Sequence, residues 1–268
     1  MPNSHPINSL YIFGDSLSDV GNVFRATGGL SPASPPYFQG RYSNGRIWVE
    51  YLATKLTLTP EKNTNFAYGG ATTGNSQVNG IPGLLAQVVA FTNAHKSVNP
   101  QGLYILWAGA NDYLQGAANP IVPVENLSKA MQLLATAGAK KILVANLPDL
   151  GQLPATRPSS FSSFLSALAR EHNLSLAKSV EALRQKFGPD FQLVELDVYS
   201  LYQEAITNPA KFGLTTVTSA CLAGANLCGN PERFLFWDGI HPTTVAHQIL
   251  GEKAFSLMAG ERELSTHH

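Results

Sequence analysis

Leu10-Tyr11-Ile12-Phe13-Gly14-Asp15-Ser16 is a run of four apolar residues that ends abruptly in a polar turn. A short stretch that is apolar at every position, rather than at alternate ones, reads as a strand buried on both faces. The design recurs at residues 103–108 (LYILWA), which end in Gly109-Ala110-Asn111-Asp112, and at 141–146 (KILVAN). Residues 64–68 and 191–196 are further strand candidates, the first stopped by Gly69-Gly70. Between them lie segments with apolar residues at helical spacing: 47–56, 84–94, 124–137 with Gly138 as its stop, 161–187 closed by Gly188-Pro189, and 200–207. Pro242 is expected to open a last helix that runs to about Met258. Strands alternating with helices predict an α/β protein whose central parallel sheet is covered on both faces. Residues 27–40, rich in Pro, Gly and Ser, read as a long loop, and residues 210–236 as mixed and loop-rich.

The length of 268 residues suits one domain spanning residues 1–268, since roughly 250 residues is common for a single α/β domain. Hydrophobic residues make up 44% of the chain and charged residues 13%. The first figure supports a large core. The second means a surface built from Ser, Thr, Asn and Gln, which leans toward an exported protein. A formal net charge of zero and the lack of any basic stripe argue against a nucleic-acid partner. No apolar run approaches the ~20 residues of a membrane helix. Residues 1–9 show no signal-peptide pattern, so the expectation is either a cytosolic protein or a mature exported form. The closing His267-His268 is set aside. The two cysteines, Cys221 and Cys228, are close enough to bridge, and closing so short a loop is worth about 2.5 kcal/mol. The alternative is a pair of reduced, buried thiols. A bridge would favour a secreted or periplasmic location.

In a parallel sheet, the segments that follow the strands share one edge, and ligands bind there. Ser16, Gly69-Gly70 and Asn111 all follow strands. Asp238-Gly239-Ile240-His241 lies nearer the C-terminus. A serine hydroxyl is a poor nucleophile until a base takes its proton, and histidine, with a pKa near neutrality, is suited to do so. Asp238 and His241 are three residues apart, a spacing that would bring them together on one helical turn. The carboxylate could then hold one imidazole nitrogen. The N–H of Ser16, the N–H of Gly70 and the amide of Asn111 would form an oxyanion hole, where one donor is typically worth ~3 kcal/mol. These parts call for no metal and no cofactor. His95 and His172 have no acidic or cysteine companion at ligand spacing, His247 reads as a surface or packing residue of the last helix, and Asp15, Asp19 and Asp112 read as structural residues. The Asn-x-Ser sequons at Asn126 and Asn173 matter only in a eukaryotic secreted protein.

Phe13-Gly14-Asp15-Ser16-Leu17-Ser18-Asp19-Val20-Gly21-Asn22 resembles the first block of the GDSL (SGNH) esterases and lipases. Asn65 to Ala71 is similar to their glycine block, Gly109-Ala110-Asn111-Asp112-Tyr113 to the G-x-N-D block, and Asp238 to Thr243 to the closing D-x-x-H block. Gly40 to Leu52, and Phe236-Trp237 before Asp238, resemble the plant-like branch. The blocks follow one another in family order over about residues 11–257. The resemblance implies a flavodoxin-like three-layer α/β/α sandwich, a Ser16/Asp238/His241 triad, and glycine and asparagine oxyanion donors. Gly69 and Gly70 compete for the glycine position, and Gly70 better matches the family's spacing. The implied activity is cleavage of carboxylic esters, with a small-molecule ester or lipid as substrate. Leu17, Val20, Phe24, Tyr113, Leu147 and Leu150 follow strand ends and are candidates for an acyl pocket, although each also suits an ordinary core. An acyltransferase or a carbohydrate O-acetylesterase would use the same acyl-enzyme. A non-catalytic, phosphate-binding flavodoxin-like module is disfavoured, because Asp15 and Asp19 would repel phosphate and Asp238-x-x-His241 would go unexplained.

Overall fold

A computed structural model describes residues 7–59 and 63–260. The His267-His268 end and most of the polar lead lie outside the described residues. The strands are β1 (Ser9–Gly14), β2 (Asn63–Asn65), the two-residue pair β3 (Gln77–Val78) and β4 (Ile81–Pro82), β5 (Gly102–Trp107), β6 (Lys141–Ala145), β7 (Gln192–Leu196), β8 (Thr216–Ala220), β9 (Leu222–Ala223), β10 (Asn226–Leu227) and β11 (Phe234–Phe236). The helices are α1 (Asn22–Ala26), α2 (Trp48–Lys55), α3 (Leu84–Ala94), α4 (Ala110–Leu114), α5 (Ile121–Thr136), α6 (Ser162–Phe187), α7 (Val198–Thr207) and α8 (Thr244–Ala259).

Five strands form one parallel sheet in the order β2-β1-β5-β6-β7. Side chains alternate between its faces, so each apolar strand feeds two cores. Leu10, Ile12, Leu103, Ile105, Trp107, Leu143 and Ala145 point to one face, where they pack with α2, α7, α8 and the first half of α6. Phe13, Tyr104, Leu106, Ile142 and Val144 point to the other and meet α3, α5 and the second half of α6. The result is a three-layer α/β/α sandwich with flavodoxin-like strand order. From β1 the chain crosses one way to β2, and then back past β1 to β5. The carboxyl ends of β1 and β5 therefore flank the reversal in strand order, where such folds hold their ligands.

Two local expectations need correction. Pro242 does not open α8: it bridges to Phe236 instead, and the helix starts two residues later with Thr243 as N-cap, its hydroxyl accepting from Ala246 N–H. Helix α5 begins at Ile121, three residues earlier than its apolar periodicity predicts, because its first turn tolerates Pro123, whose missing N–H would have no partner there. Within the mixed, loop-rich segment 210–236, β8 and β11 pair in parallel and carry the chain to Asp238.

Candidate active site

Ser16 sits in the turn that leaves β1. Asp15 shapes that turn, its carbonyl accepting from Ser18 N–H at 3.1 Å and its carboxylate from Leu17 N–H at 3.0 Å. Burial pushes the Asp15 carboxyl up to about 7, against the opposing pull of the Leu17 N–H and His241. The turn is locked to the next block. Asn65 Nδ2 donates to the Ser18 carbonyl at 2.7 Å, Asn22 Nδ2 to the Ala67 carbonyl at 2.8 Å, and Trp48 Nε1 to Ser18 Oγ at 3.1 Å. This explains why the polar residues around Ser16 can be buried without loss.

Ser16 Oγ lies 2.8 Å from His241 Nε2, and His241 Nδ1 lies 2.8 Å from Asp238 Oδ2. Ser16 and His241 are both buried, at 8% exposure. The Asp238–His241 segment is not the helical turn that the spacing suggested. Asp238 Oδ1 instead accepts from the N–H groups of Ile240 (2.9 Å) and His241 (2.8 Å), folding the chain back on its own carboxylate. Burial raises the Asp238 pKa, but the bond and charge of His241, the Ile240 N–H and the hydroxyl of Tyr37 outweigh it and bring the carboxyl down to about 2. Tyr37 Oη donates to Asp238 Oδ2 at 2.7 Å from 201 residues away, and the Tyr42 ring lies 5.1 Å from the His241 ring. Tyr37 carried no signal in the sequence beyond its place in the Pro-rich loop, whereas Tyr42 lies in the Gly40–Leu52 stretch that resembles the plant-like branch.

The two glycines differ in what their N–H groups do. Gly69 N–H donates to Asp19 Oδ2 at 2.9 Å, while the other oxygen of Asp19 takes Gly21 N–H and Asn22 N–H at the start of α1. Gly69 is thus committed, and its Cα faces the Tyr42 ring so closely that a Cβ would overlap it. Gly70 is exposed and holds φ +83°, a conformation natural to glycine. Asn111 Nδ2 donates one proton to the Ala71 carbonyl at 2.9 Å, which fixes the amide and leaves its second proton available. Asp112 holds the neighbouring loop through Thr73, accepting from its N–H (2.9 Å) and its hydroxyl (2.7 Å).

A cleft of about 420 Å³, including its open mouth, runs beside Ser16 and His241. Leu17 and Leu150 line it, together with Ala110, Leu114, Pro148, Leu153, Tyr202 and Ile240. The other four candidates for an acyl pocket lie elsewhere. Val20 packs on the core. The Phe24 ring covers Gly40 and Gly29. Tyr113 turns inward to His172, its hydroxyl 2.8 Å from Nδ1. Leu147 is buried in the core, its backbone clasped at both ends by Asn173. Proximity to a strand end was their only signal, and it cannot tell inward from outward. Ala110 and Leu114 were findable, being four apart on the helix that carries Asn111. Tyr202, brought in by α7, was not. His172 and His247 are buried packing residues, and burial lowers them to about 4 and about 3. Cys221 and Cys228 are joined in a disulfide. Among the described residues no cluster of His, Cys, Asp or Glu could hold a metal ion, and no helix is long and apolar enough to cross a membrane.

The chain is 30% identical to the phosphatidylcholine-sterol acyltransferase of Aeromonas hydrophila, over 96% of this chain and 92% of that one. It is 25% identical to a GDSL esterase/lipase of Arabidopsis thaliana, over 96% of this chain and 89% of the other. Among solved structures, a carbohydrate acetylesterase from Sinorhizobium meliloti superposes with a TM-score of 0.55 at 15% identity, covering 94% of this chain and 99% of that one. An aryl esterase of M. smegmatis gives 0.54 at 16% identity, with 94% and 99% covered. These structural likenesses bear on the fold alone. Residues 10–254 match the family described as GDSL-like Lipase/Acylhydrolase. The chain belongs to that family and is a carboxylic ester hydrolase.

Proposed function

We propose that Ser16 is the nucleophile of this hydrolase, His241 its general base and then acid, and Asp238 the group that orients and charges His241. The observation that carries this reading is the unbroken relay from Ser16 Oγ through the imidazole to Asp238 Oδ2, with both links at 2.8 Å. His241 Nε2 takes the proton of Ser16 as Oγ attacks the ester carbonyl carbon. The carbonyl oxygen becomes an oxyanion and is met by the N–H groups of Ser16 and Gly70 and the second N–H of Asn111. The imidazolium then protonates the leaving alkoxide oxygen, the C–O bond breaks, and the acyl group stays on Ser16. A water molecule, deprotonated by His241, releases the acid and restores Ser16. The apolar lining of the cleft suits the hydrocarbon part of an ester.

A second reading, acyl transfer, is favoured by the Aeromonas hydrophila relative, which is named an acyltransferase. There an alcohol replaces water in the last step. One experiment addresses both. Ser16→Ala is expected to lower kcat for p-nitrophenyl butyrate by on the order of 10⁴-fold or more, with Tm unchanged. Retained turnover would remove Ser16 from the role. The wild-type enzyme is then run with an added long-chain alcohol, and ester product in place of acid identifies transfer.

A further inference from the structure

An ionised carboxylate offers about four acceptor sites, and Asp238 has four protein donors: Ile240 N–H and His241 N–H on Oδ1, His241 Nδ1 and Tyr37 Oη on Oδ2. Three of the four come from Asp238's own turn. Tyr37 alone comes from another part of the chain, the Pro-rich loop that follows α1. We propose that Tyr37 is a positioning residue of the active site, whose hydroxyl pins Asp238 Oδ2 and moderates the negative charge that the carboxylate presents to His241.

Two further observations support this. First, the segment that carries Tyr37 is fastened to the chain on the far side of His241. Ser43 Oγ donates to the Pro242 carbonyl at 2.9 Å, Asn44 Oδ1 accepts from Thr244 N–H at 2.9 Å, and Thr244 Oγ1 donates to the Arg46 carbonyl at 2.8 Å. These bonds tie the segment that carries Tyr37 to the residues that directly follow His241. Second, the Tyr37 ring is set by edge-on contacts with Trp237 and Tyr42, each at 6.4 Å between centroids. Its hydroxyl is delivered to the carboxylate by a rigid side chain. Oδ2 is also the oxygen that binds His241, so charge drawn toward Tyr37 is charge not offered to the imidazolium. The other titratable groups facing the pair are Asp15 after β1, Tyr42 on the loop, and His247 on α8.

The inference rests on reading Asp238 and His241 as the catalytic pair. Tyr37→Phe keeps the ring contacts and deletes only the hydroxyl. It is expected to lower kcat/KM for p-nitrophenyl butyrate on the order of 10-fold, typical of one hydrogen bond to a charged group, through kcat rather than KM. The acidic limb of the pH dependence should move to higher pH, because the freed carboxylate holds the imidazolium more strongly. In an Asp238→Ala background the same substitution should change kcat/KM less than about twofold, since its route of action is gone. Wild-type rate and pH dependence in Tyr37→Phe would overturn the proposal, as would an equal loss in the Asp238→Ala background. If Ser16→Ala retains activity, the reading of the whole site fails instead, so the two failures are distinguishable.

Discussion

Asp15 and Asp238 flank the same histidine and are pushed in opposite directions. Asp238 is stitched by four donors and drops to about 2, so its contribution to stability is present above the unfolded carboxylate value near ~4 and is lost as pH falls through about 2. Asp15 is 1% exposed and rises to about 7. Its folded state holds a proton more tightly than the unfolded chain does. The stability that Asp15 contributes is therefore full below ~4 and lost as pH climbs through about 7, beyond which a buried charge is carried at full cost. Asp15→Asn has no such titration. Its Tm relative to wild type should rise by several degrees between pH 4.5 and pH 8.5, measured by differential scanning fluorimetry. A difference that stays flat across that range would contradict the burial argument.

The elements that position Asp238 belong to the part of the chain least legible in sequence. Residues 210–236 lack periodicity, yet β8 and β11 pair there, and the disulfide loop lies against them. Cys221 N–H donates to the Phe236 carbonyl and Leu222 N–H to the Trp237 carbonyl, at 3.1 and 2.6 Å. Short strands are defined by partners far away in the chain, so local pattern misses them. The strands of the main sheet were legible because burial on both faces writes continuous apolar runs, as in LYIF and LYILWA. Ser16 and Asn111 were legible as polar chemistry that follows strands, and Asp238 and His241 as an Asp-x-x-His pair near the C-terminus. Tyr37 was not, and Ser43 and Asn44 showed only as part of the Gly40–Leu52 stretch with no role attached, because their partners lie about 200 residues away. Replacing both cysteines with serine should destabilise the protein by about 2.5 kcal/mol, the chain-entropy value of so short a loop. Dithiothreitol should lower the Tm of wild type to that of the double serine variant and leave the variant unmoved. Equal Tm values for wild type and variant without reductant would show that the loop is held by its backbone bonds alone.

At the scale of the whole molecule, the sheet order decides where a reaction can occur. Ser16 leaves β1, Gly70 follows β2 and Asn111 follows β5, the three adjacent strands around the reversal in strand order. Gly14 is the last residue of β1 and the point where this arrangement is tightest. A Cβ there would sit 2.3 Å from the Trp107 carbonyl oxygen at the end of β5. The backbone of Gly14 is also held by buried Gln87, whose amide accepts from Gly14 N–H and donates to its carbonyl, both at 2.9 Å. Tyr68 N–H adds a second bond to that carbonyl at 3.0 Å. The obstacle is the Trp107 backbone, so no rotamer change relieves it. Gly14→Ala must separate β1 from β5 or break the Gln87 clasp, which costs several kcal/mol on the scale of overpacked cores and buried groups left unpaired. The expected outcome is a fall in Tm on the order of 10 °C. Esterase activity should fall more than the folded fraction does, because Ser16 and Asn111 hang from the two strands forced apart. A Gly14→Ala variant with wild-type Tm and wild-type kcat would mean that the spacing of β1 and β5 does not set the distance between Ser16 and Asn111.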